Sequence, residues 1–216
     1  MKISIEQVGK QSVERAELLL AGFPGAIDKA LRSSVSRAAQ KVRSQSSKRI
    51  RERYAISAAN LRLDQNVRIS YSYSPGDGMD ASILFRGSKI PLHRYDGASP
   101  AGPTYDRSQL VPIHTSTGWR MGSPGVAAAG HQLRGTAPTK FQDAFVARFR
   151  SGHVGIFERT GGVTASGADE LRELMGSSVP QMIGNDEVIE ALSNDAGLEF
   201  DKRTTHEVDA FLNGWR

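Results

Sequence analysis

One stretch of this chain, from Pro24 to Tyr54, constrains the fold more than any other because it has the pattern of a single long amphipathic helix. Pro24 suits a first helical turn, where its missing N–H has no intrahelical acceptor. Interrupted only around Ser46, apolar residues then recur at the period of one helix face: Ile27, Leu31, Val35, Ala38, Val42, Ile50 and Tyr54. At ~1.5 Å per residue the helix is about 45 Å long, more than a small domain needs for its own core. We therefore expect a partner on at least one side of it.

The remaining surface of this predicted helix is strongly basic. Nine cations face only two carboxylates, which gives the segment a net charge of +7 in a chain of net charge +5. The nine form a candidate basic interaction surface: Lys29, Arg32, Arg37, Lys41, Arg43, Lys48, Arg49, Arg51 and Arg53. Two interpretations stay open, a solvated surface or interface to an acidic protein, and contact with phosphates. No aromatic residue is interleaved with these cations, so any DNA contact should not depend on base sequence.

Composition is typical of a soluble globular protein. The chain has 216 residues, 38% hydrophobic and 24% charged, enough for one domain with a sizeable core. The absence of cysteine excludes disulfides, thiol catalysis and Cys-ligated zinc. The first residues carry a charge where a signal peptide is apolar, and no apolar run reaches the length of a membrane span. We expect a soluble protein, neither secreted by a classical signal nor membrane-spanning.

Two β-hairpins are predicted from alternating apolar and polar residues. The first runs from Val67 to Phe85 and turns at the Pro-Gly-Asp-Gly sequence at 75–78. The second runs from Phe145 to Arg159 and turns at 151–152. Between them, residues 86–140 are rich in Gly and Pro, with a hint of one strand at 111–115. We predict a long irregular loop or insertion there, functional or ordered by a partner.

The C-terminal part of the chain predicts a second long helix, with Asn185 as its N-cap. Its apolar positions are Val188, Leu192, Ala196, Phe200, Val208, Phe211 and Leu212. The smaller predicted elements are a strand at 2–8, a helix at 12–20, a helical turn at 57–61, a Gly-rich loop at 160–167, a short helix at 169–175 and an extended connector at 178–182. The predicted fold is α+β, with antiparallel β-hairpins packed with a long N-terminal and a long C-terminal helix in a single domain over residues 1–216.

Motifs for catalysis, metals and cofactors are missing from the sequence. The five histidines are scattered, without metal-ligand spacing. His153 lies in a predicted hairpin turn, where a plain hydrogen-bonding role is favoured over a ligand role, and His206 is expected on a solvated helix face. The glycines at 161–167 lack the Lys-Ser/Thr of a phosphate loop, and there is no nucleophile elbow. We expect no enzymatic activity, no cofactor and no metal.

Six short motifs occur in a defined order along nearly the whole chain. They are Phe23-Pro24-Gly25, Arg53-Tyr54-Ala55-Ile56, Ile90-Pro91-Leu92, the stretch from Ala144 to Arg159, Leu171-Arg172-Glu173-Leu174 and Ser178-Val179-Pro180-Gln181-Met182. In this order and spacing, the chain resembles the phage minor tail protein Z family, tail-completion proteins of long-tailed phages and prophages. The stretch from Tyr95 to Gly130 is longer and richer in Gly and Pro than is typical of the family.

The resemblance implies a structural virion protein and not an enzyme. Such a protein completes the head-proximal end of the tail and joins it to the tail terminator or head connector, as a ring around the DNA channel. Implied partners are further copies of the chain, other tail or head-connector proteins and, through a non-specific contact, packaged DNA. The implied location is the virion tail, assembled in the bacterial host cytoplasm. The alternative is a non-specific DNA-binding protein that uses the basic helix 29–53.

Overall fold

The computed structural model describes residues 2–4, 10–23, 25–74, 78–96, 111–115, 118–122, 126–128, 134, 137, 139–142, 144–167 and 169–214. The helices are α1 (Lys10–Leu20), α2 (Ala26–Arg53), α3 (Ala58–Leu61), α4 (Leu63–Asn66), α5 (Val179–Ile183) and α6 (Asp186–Leu212). The strands are β1 (Lys2–Ser4), β2 (Val67–Ser74), β3 (Gly78–Phe85), β4 (Lys89–Pro91), β5 (Val111–Thr115), β6 (Gly118–Gly122), β7 (Val126–Ala128), β8 (Thr139–Phe141), β9 (Ala144–Arg148), β10 (Val154–Val163), β11 (Asp169–Glu173) and β12 (Met175–Ser178). The fold is α+β, as predicted, with long helices near both ends of the chain.

The chain divides into two compact units, each built from separate segments. The first unit contains Met1–Ile50, Arg62–Gly87 and Val179–Arg216, and the second contains Arg51–Leu61 and Ser88–Ser178. Most of α2 and all of α6 belong to the first unit. The prediction of one domain over residues 1–216 stays a prediction.

The first unit combines a three-stranded antiparallel sheet with the long helices. Strand β3 is central, pairing with β2 along its full length and with β1 on its other edge. Alternate residues of β3, Ala81, Ile83 and Phe85, are buried, because successive side chains of a strand point to opposite faces. The predicted hairpin from Val67 to Phe85 is confirmed.

The helices of the first unit pack through small side chains. Helix α1 runs along α6, and a buried cluster joins α1, α2 and α6: Ala16, Leu20, Ala26, Ala30 and Val208. Helix α2 is antiparallel to α6, since Ser34 near its start contacts Thr204, whereas Arg49 near its end contacts Asp195. The predicted helix from Pro24 to Tyr54 is confirmed as Ala26–Arg53, with Pro24 outside the described residues. The predicted C-terminal helix is confirmed as Asp186–Leu212 and continues through Gly197.

The second unit is built around antiparallel strands. Strand β10 lies between β9 and β11, which confirms the second predicted hairpin, and β4 pairs with β12. Two further ladders, β5 with β6 and β7 with β8, lie within or at the end of residues 86–140. That segment therefore contains regular structure beyond the single strand expected at 111–115. The hydroxyl of Tyr95 donates to the Ser177 carbonyl at 2.8 Å, and the N–H of Leu92 donates to the Leu174 carbonyl at 2.9 Å.

Three local predictions were wrong. Residues 169–173 are a strand, not a helix, because they pair with β10 and place Arg172 opposite Glu158 in an ion pair. The connector at 178–182 is largely helix α5, which accommodates Pro180 in its first turn, where the missing N–H is harmless. The Gly-rich loop at 160–167 begins as a continuation of β10 to Val163.

Smaller differences concern the ends of elements. Asn185 occupies the N-cap position of α6, but its side chain makes no capping hydrogen bond. The predicted strand at 2–8 is described only as Lys2–Ser4, and residues 5–8 lie outside the described part. The helical turn near Ser57 is confirmed, since the N–H of Asn60 donates to the Ser57 hydroxyl at 3.3 Å.

Candidate basic interaction surface

The basic helix α2 lies beside an acidic helix in its own chain. Helix α6 carries eight carboxylates and two cations, a net charge of −6, against +7 for α2. Because the two helices are antiparallel neighbours, cations in the second half of α2 meet carboxylates of α6, as Lys41 does at Glu199 and Arg49 at Asp195. Much of the predicted basic surface is therefore compensated within the molecule, which the sequence alone did not indicate.

Two ion pairs join α2 directly to α6. The Arg49 guanidinium donates to both Asp195 oxygens, at 2.8 Å from Nε to Oδ2 and 2.7 Å from Nη2 to Oδ1. This hydrogen bonding lowers the pKa of Asp195 below its usual range. Lys41 Nζ lies 3.8 Å from Glu199 Oε2 in a more exposed pair. A bidentate arginine–carboxylate pair is the stronger of these two arrangements.

A buried polar cluster fixes the register of α2 against α6. Glu207 is fully buried, and its Oε1 accepts from the Ser33 hydroxyl at 2.7 Å and from Arg203 Nη2 at 2.6 Å. The Arg203 Nε–H also donates to the Ser33 hydroxyl at 3.0 Å, and the Thr204 hydroxyl donates to that of Ser34 at 3.0 Å. Since a buried charge without partners is costly, this cluster favours the observed alignment of the two helices.

Two cations near the start of α2 lie over aromatic rings. The Arg32 guanidinium is 3.6 Å from the ring centroid of Tyr73 on β2, and Lys29 Nζ is 5.7 Å from that of Phe211 on α6. The Tyr73 hydroxyl donates to Asp28 Oδ2 at 3.1 Å. These contacts hold both cations against the surface of their own chain.

The remaining predicted cations divide into two groups. Arg43, Lys48, Arg51 and Arg53 have partners within the molecule. Arg51 and Arg53 belong to the second unit, so the structure does not assign all nine to one unit. Arg37 is exposed and is the one candidate of the nine without a hydrogen bond, ion pair or ring contact to any described residue.

Arg37 lines a groove between α2 and α6 with a volume of about 330 Å³. Its other lining residues come from α6: Glu199, Lys202, Arg203 and His206. Lys202 and Arg203 are the only cations of α6, and sequence reasoning missed them because the helix as a whole is acidic. His206 follows Lys202 by four residues, one helical turn, and that spacing was the available signal.

Large apolar side chains are exposed at one end of the helical layer. Leu18 is 82% exposed, and Leu19 and Phe23 are also exposed. Leu212 belongs to the same end, because the preceding Phe211 packs on the buried cluster that contains Leu20. We call Leu18, Leu19, Phe23 and Leu212 the apolar end. A group of exposed apolar residues is typical of a protein–protein contact site.

The second unit contains a cluster of two histidines and one carboxylate. His153 Nε2 lies 2.9 Å from Glu173 Oε1, so His153 does make the hydrogen bond expected of it, and His93 Nδ1 is 4.0 Å from the same oxygen. Burial lowers the pKa of His93, which Glu173 partly opposes. These three side chains are not arranged to hold a metal ion, and neither is any other group of three or more His, Cys, Asp or Glu residues in the described ranges.

The helices in the described part of the chain include none that is both long and apolar enough to cross a membrane. Comparison of the chain with protein-family models, with curated proteins and with solved structures gives no match.

Proposed function

We propose that this chain is a structural virion protein of a phage tail, which completes the head-proximal end of the tail and joins it to the tail terminator or the head connector. In this proposal it is one subunit of a ring around the DNA channel. It acts without catalysis or cofactor, in the virion, after assembly in the bacterial host cytoplasm. The order of sequence motifs described above supports the choice of protein class.

The observation that carries the proposal is the apolar end. Leu18, Leu19 and Phe23 are all exposed within residues 18–23, at the end of α1 and in the turn before α2. Large apolar side chains gain free energy when a second protein removes them from water, at about 25 cal/mol per Å² of apolar surface. A surface of this kind fits a subunit contact better than it fits an isolated protein.

A ring also needs a second, different patch on each subunit. Subunits of a closed ring meet head to tail, so one surface of each contacts another surface of the next. The second unit offers Phe149 and Met175, both large, apolar and exposed. We assign the apolar end to one side of the subunit contact and these residues to the other.

The test is the mass of the purified protein in solution. Light scattering after size exclusion should give a ring-sized oligomer for the wild type and a monomer for the double variant Leu18→Glu, Phe23→Glu. The matched control is Leu198→Glu, which places the same charge on an isolated leucine of α6 that is 73% exposed and should leave assembly intact. Circular dichroism checks that all three proteins are folded.

Two results would overturn this function. One is a wild-type protein that stays monomeric and is absent from images of the assembled tail. The other is turnover of a small molecule or cleavage of nucleic acid by the purified chain.

The alternative function, non-specific DNA binding through the basic helix 29–53, has narrower support. Eight of the nine candidate cations already interact with other groups of the molecule. Phosphates bound along the whole helix face would compete with those partners, so DNA binding there would break ion pairs and ring contacts that the folded chain already makes.

A further inference from the structure

The groove between α2 and α6 holds more positive than negative charge. Arg37, Lys202 and Arg203 contribute three cations and Glu199 contributes one carboxylate. That carboxylate already lies near a fourth cation, Lys41. With the buried Glu207 that pairs with Arg203 also counted, four cations face two carboxylates. Because this local sum is positive and the groove is open to solvent, an anion entering it would be attracted.

Three basic side chains of the groove are not engaged elsewhere. Within the part of the molecule that the structure describes, Arg37, Lys202 and His206 make no hydrogen bond or ion pair, and all three are exposed. They differ in this respect from Arg49 and Lys41, which the acidic residues of α6 neutralise. A ligand would therefore not have to displace an intramolecular partner from them.

The fourth basic side chain, that of Arg203, is held in place by two residues that do not line the groove. Arg203 uses its Nε and Nη2 groups on Ser33 and on the fully buried Glu207. An arginine has five N–H donors, so some donors of Arg203 remain available to a ligand. A guanidinium fixed in this way loses little conformational entropy when it meets an anion, and its planar fork matches the oxygens of a phosphate.

We propose that this groove is a phosphate-binding site, for a phosphate of a nucleic-acid backbone or one free in solution. Phosphate suits the arrangement because its several acceptor oxygens can be shared by donors from two helices at once. The site joins Arg37 of α2 to three residues of α6, and it does not depend on the proposed role in a phage tail. It also replaces the nine-cation surface predicted from the sequence by a smaller one.

The test uses two double variants of the full chain that remove equal charge. Arg37→Ala with Lys202→Ala changes the groove, and Arg68→Ala with Arg86→Ala is the control. Each lowers the net charge from +5 to +3 by replacing exposed side chains, so both should fold, as circular dichroism will verify. Arg68 lies on the face of β2 opposite to Tyr71 and Tyr73, the tyrosines that contact α2.

The first arm measures binding of a fluorescein-labelled DNA duplex of mixed sequence by anisotropy over a series of salt concentrations. If the groove binds backbone phosphates, the groove variant should bind about tenfold or more weakly than the control variant. Its plot of log affinity against log salt should also be shallower by about 0.9, since one backbone phosphate is no longer neutralised.

The second arm replaces the duplex with inorganic phosphate and pyrophosphate, measured by calorimetry. Binding of these ions to the wild type and the control variant but not to the groove variant, without duplex binding, identifies free phosphate as the ligand. The proposal is overturned if neither probe binds the wild type. It is equally overturned if the groove and control variants bind either probe with the same affinity.

Discussion

At the scale of single residues, Glu207 shows how a charge can be kept inside a small helical layer. Its carboxylate is fully buried and accepts hydrogen bonds from Ser33 and Arg203. The sequence predicted a solvated helix face at the neighbouring residue, His206, and gave no sign that Glu207 is buried. Its burial depends on which side of α6 meets α2, and the pattern of α6 alone does not contain that information.

Replacing Glu207 by Ala should lower the free energy of unfolding by about 3 kcal/mol, because Arg203 would keep its charge and lose its buried partner. Urea unfolding followed by circular dichroism measures the loss. Glu190→Ala removes an exposed carboxylate from the same helix and should change stability by about 0.5 kcal/mol or less. Equal midpoints for the two variants would contradict the assigned role of Glu207.

His93 makes stability depend on pH in a defined direction. Burial lowers its pKa below the ordinary value of 6.5, with Arg94 and His153 acting in the same direction and Glu173 opposing them. The unfolded chain therefore binds this proton more readily than the folded chain does. The stability contributed by neutral His93 is present above about pH 6.5 and is lost as pH falls below it.

The midpoint of urea unfolding should accordingly be lower near pH 5.5 than near pH 7.5, within the range where histidine titrates. His93→Gln should flatten this dependence. His206→Gln, at an exposed histidine, should keep it. A His93→Gln protein with the pH dependence of the wild type would show that another group is responsible.

At the scale of elements, local periodicity predicted the helices well and the strands unevenly. Helix α2 was found from its apolar face, because its pattern persists over many turns. Strand β11 was misassigned because its acidic start resembles a helix N-terminus. What makes it a strand is pairing with β10, where Arg159 meets Asp169 in an ion pair. Such a partner is not visible in a window of neighbouring residues.

Strand β10 also contains a glycine that its surroundings require. A Cβ added at Gly155 would lie 2.5 Å from Glu173 Oε1 and 2.8 Å from the Phe157 ring. Gly155→Ala should destabilise the protein by about 1–3 kcal/mol, because Glu173 could move only by giving up its hydrogen bond to His153.

Thermal unfolding compares Gly155→Ala with Gly22→Ala, a control at which the added methyl group has no neighbouring atom within 4 Å. The control should leave the melting temperature nearly unchanged. Melting temperatures that agree between the two variants would rule out the crowding expected at Gly155.

At the scale of the whole molecule, the fold class could be predicted and the candidate site only in part. The sequence showed nine cations on α2 but not which of them are neutralised within the molecule, because the carboxylates that do so are about 150 residues further along the chain, as with Arg49 and Asp195. The groove at Arg37 requires Lys202 and His206 from another helix. Packing decides which helices become neighbours, and the sequence pattern of a single helix does not show it.

The two proposed interactions should respond differently to salt. Assembly through the apolar end depends on removing apolar surface from water, whereas phosphate binding releases counterions and weakens steeply as salt rises. Between about 50 and about 200 mM salt, the oligomer mass should therefore stay constant while affinity for a duplex falls. Light scattering and anisotropy over one salt series measure both. Dissociation of the oligomer in parallel with release of the duplex would indicate that charge, and not the apolar end, holds the subunits together.

The division into two units has a consequence for how this chain can vary. The chain leaves the first unit after Gly87 and re-enters it at Val179. The Cβ of Val179 would be only 3.7 Å from a Cβ placed on Gly87. The residues at which the chain leaves and re-enters the first unit here, Gly87 and Val179, therefore lie side by side. A change in the length of the chain between these two residues therefore need not move β3 or α5, provided that it keeps the contacts of residues 51–61 with this segment, such as the bridge between Ile56 and Tyr95.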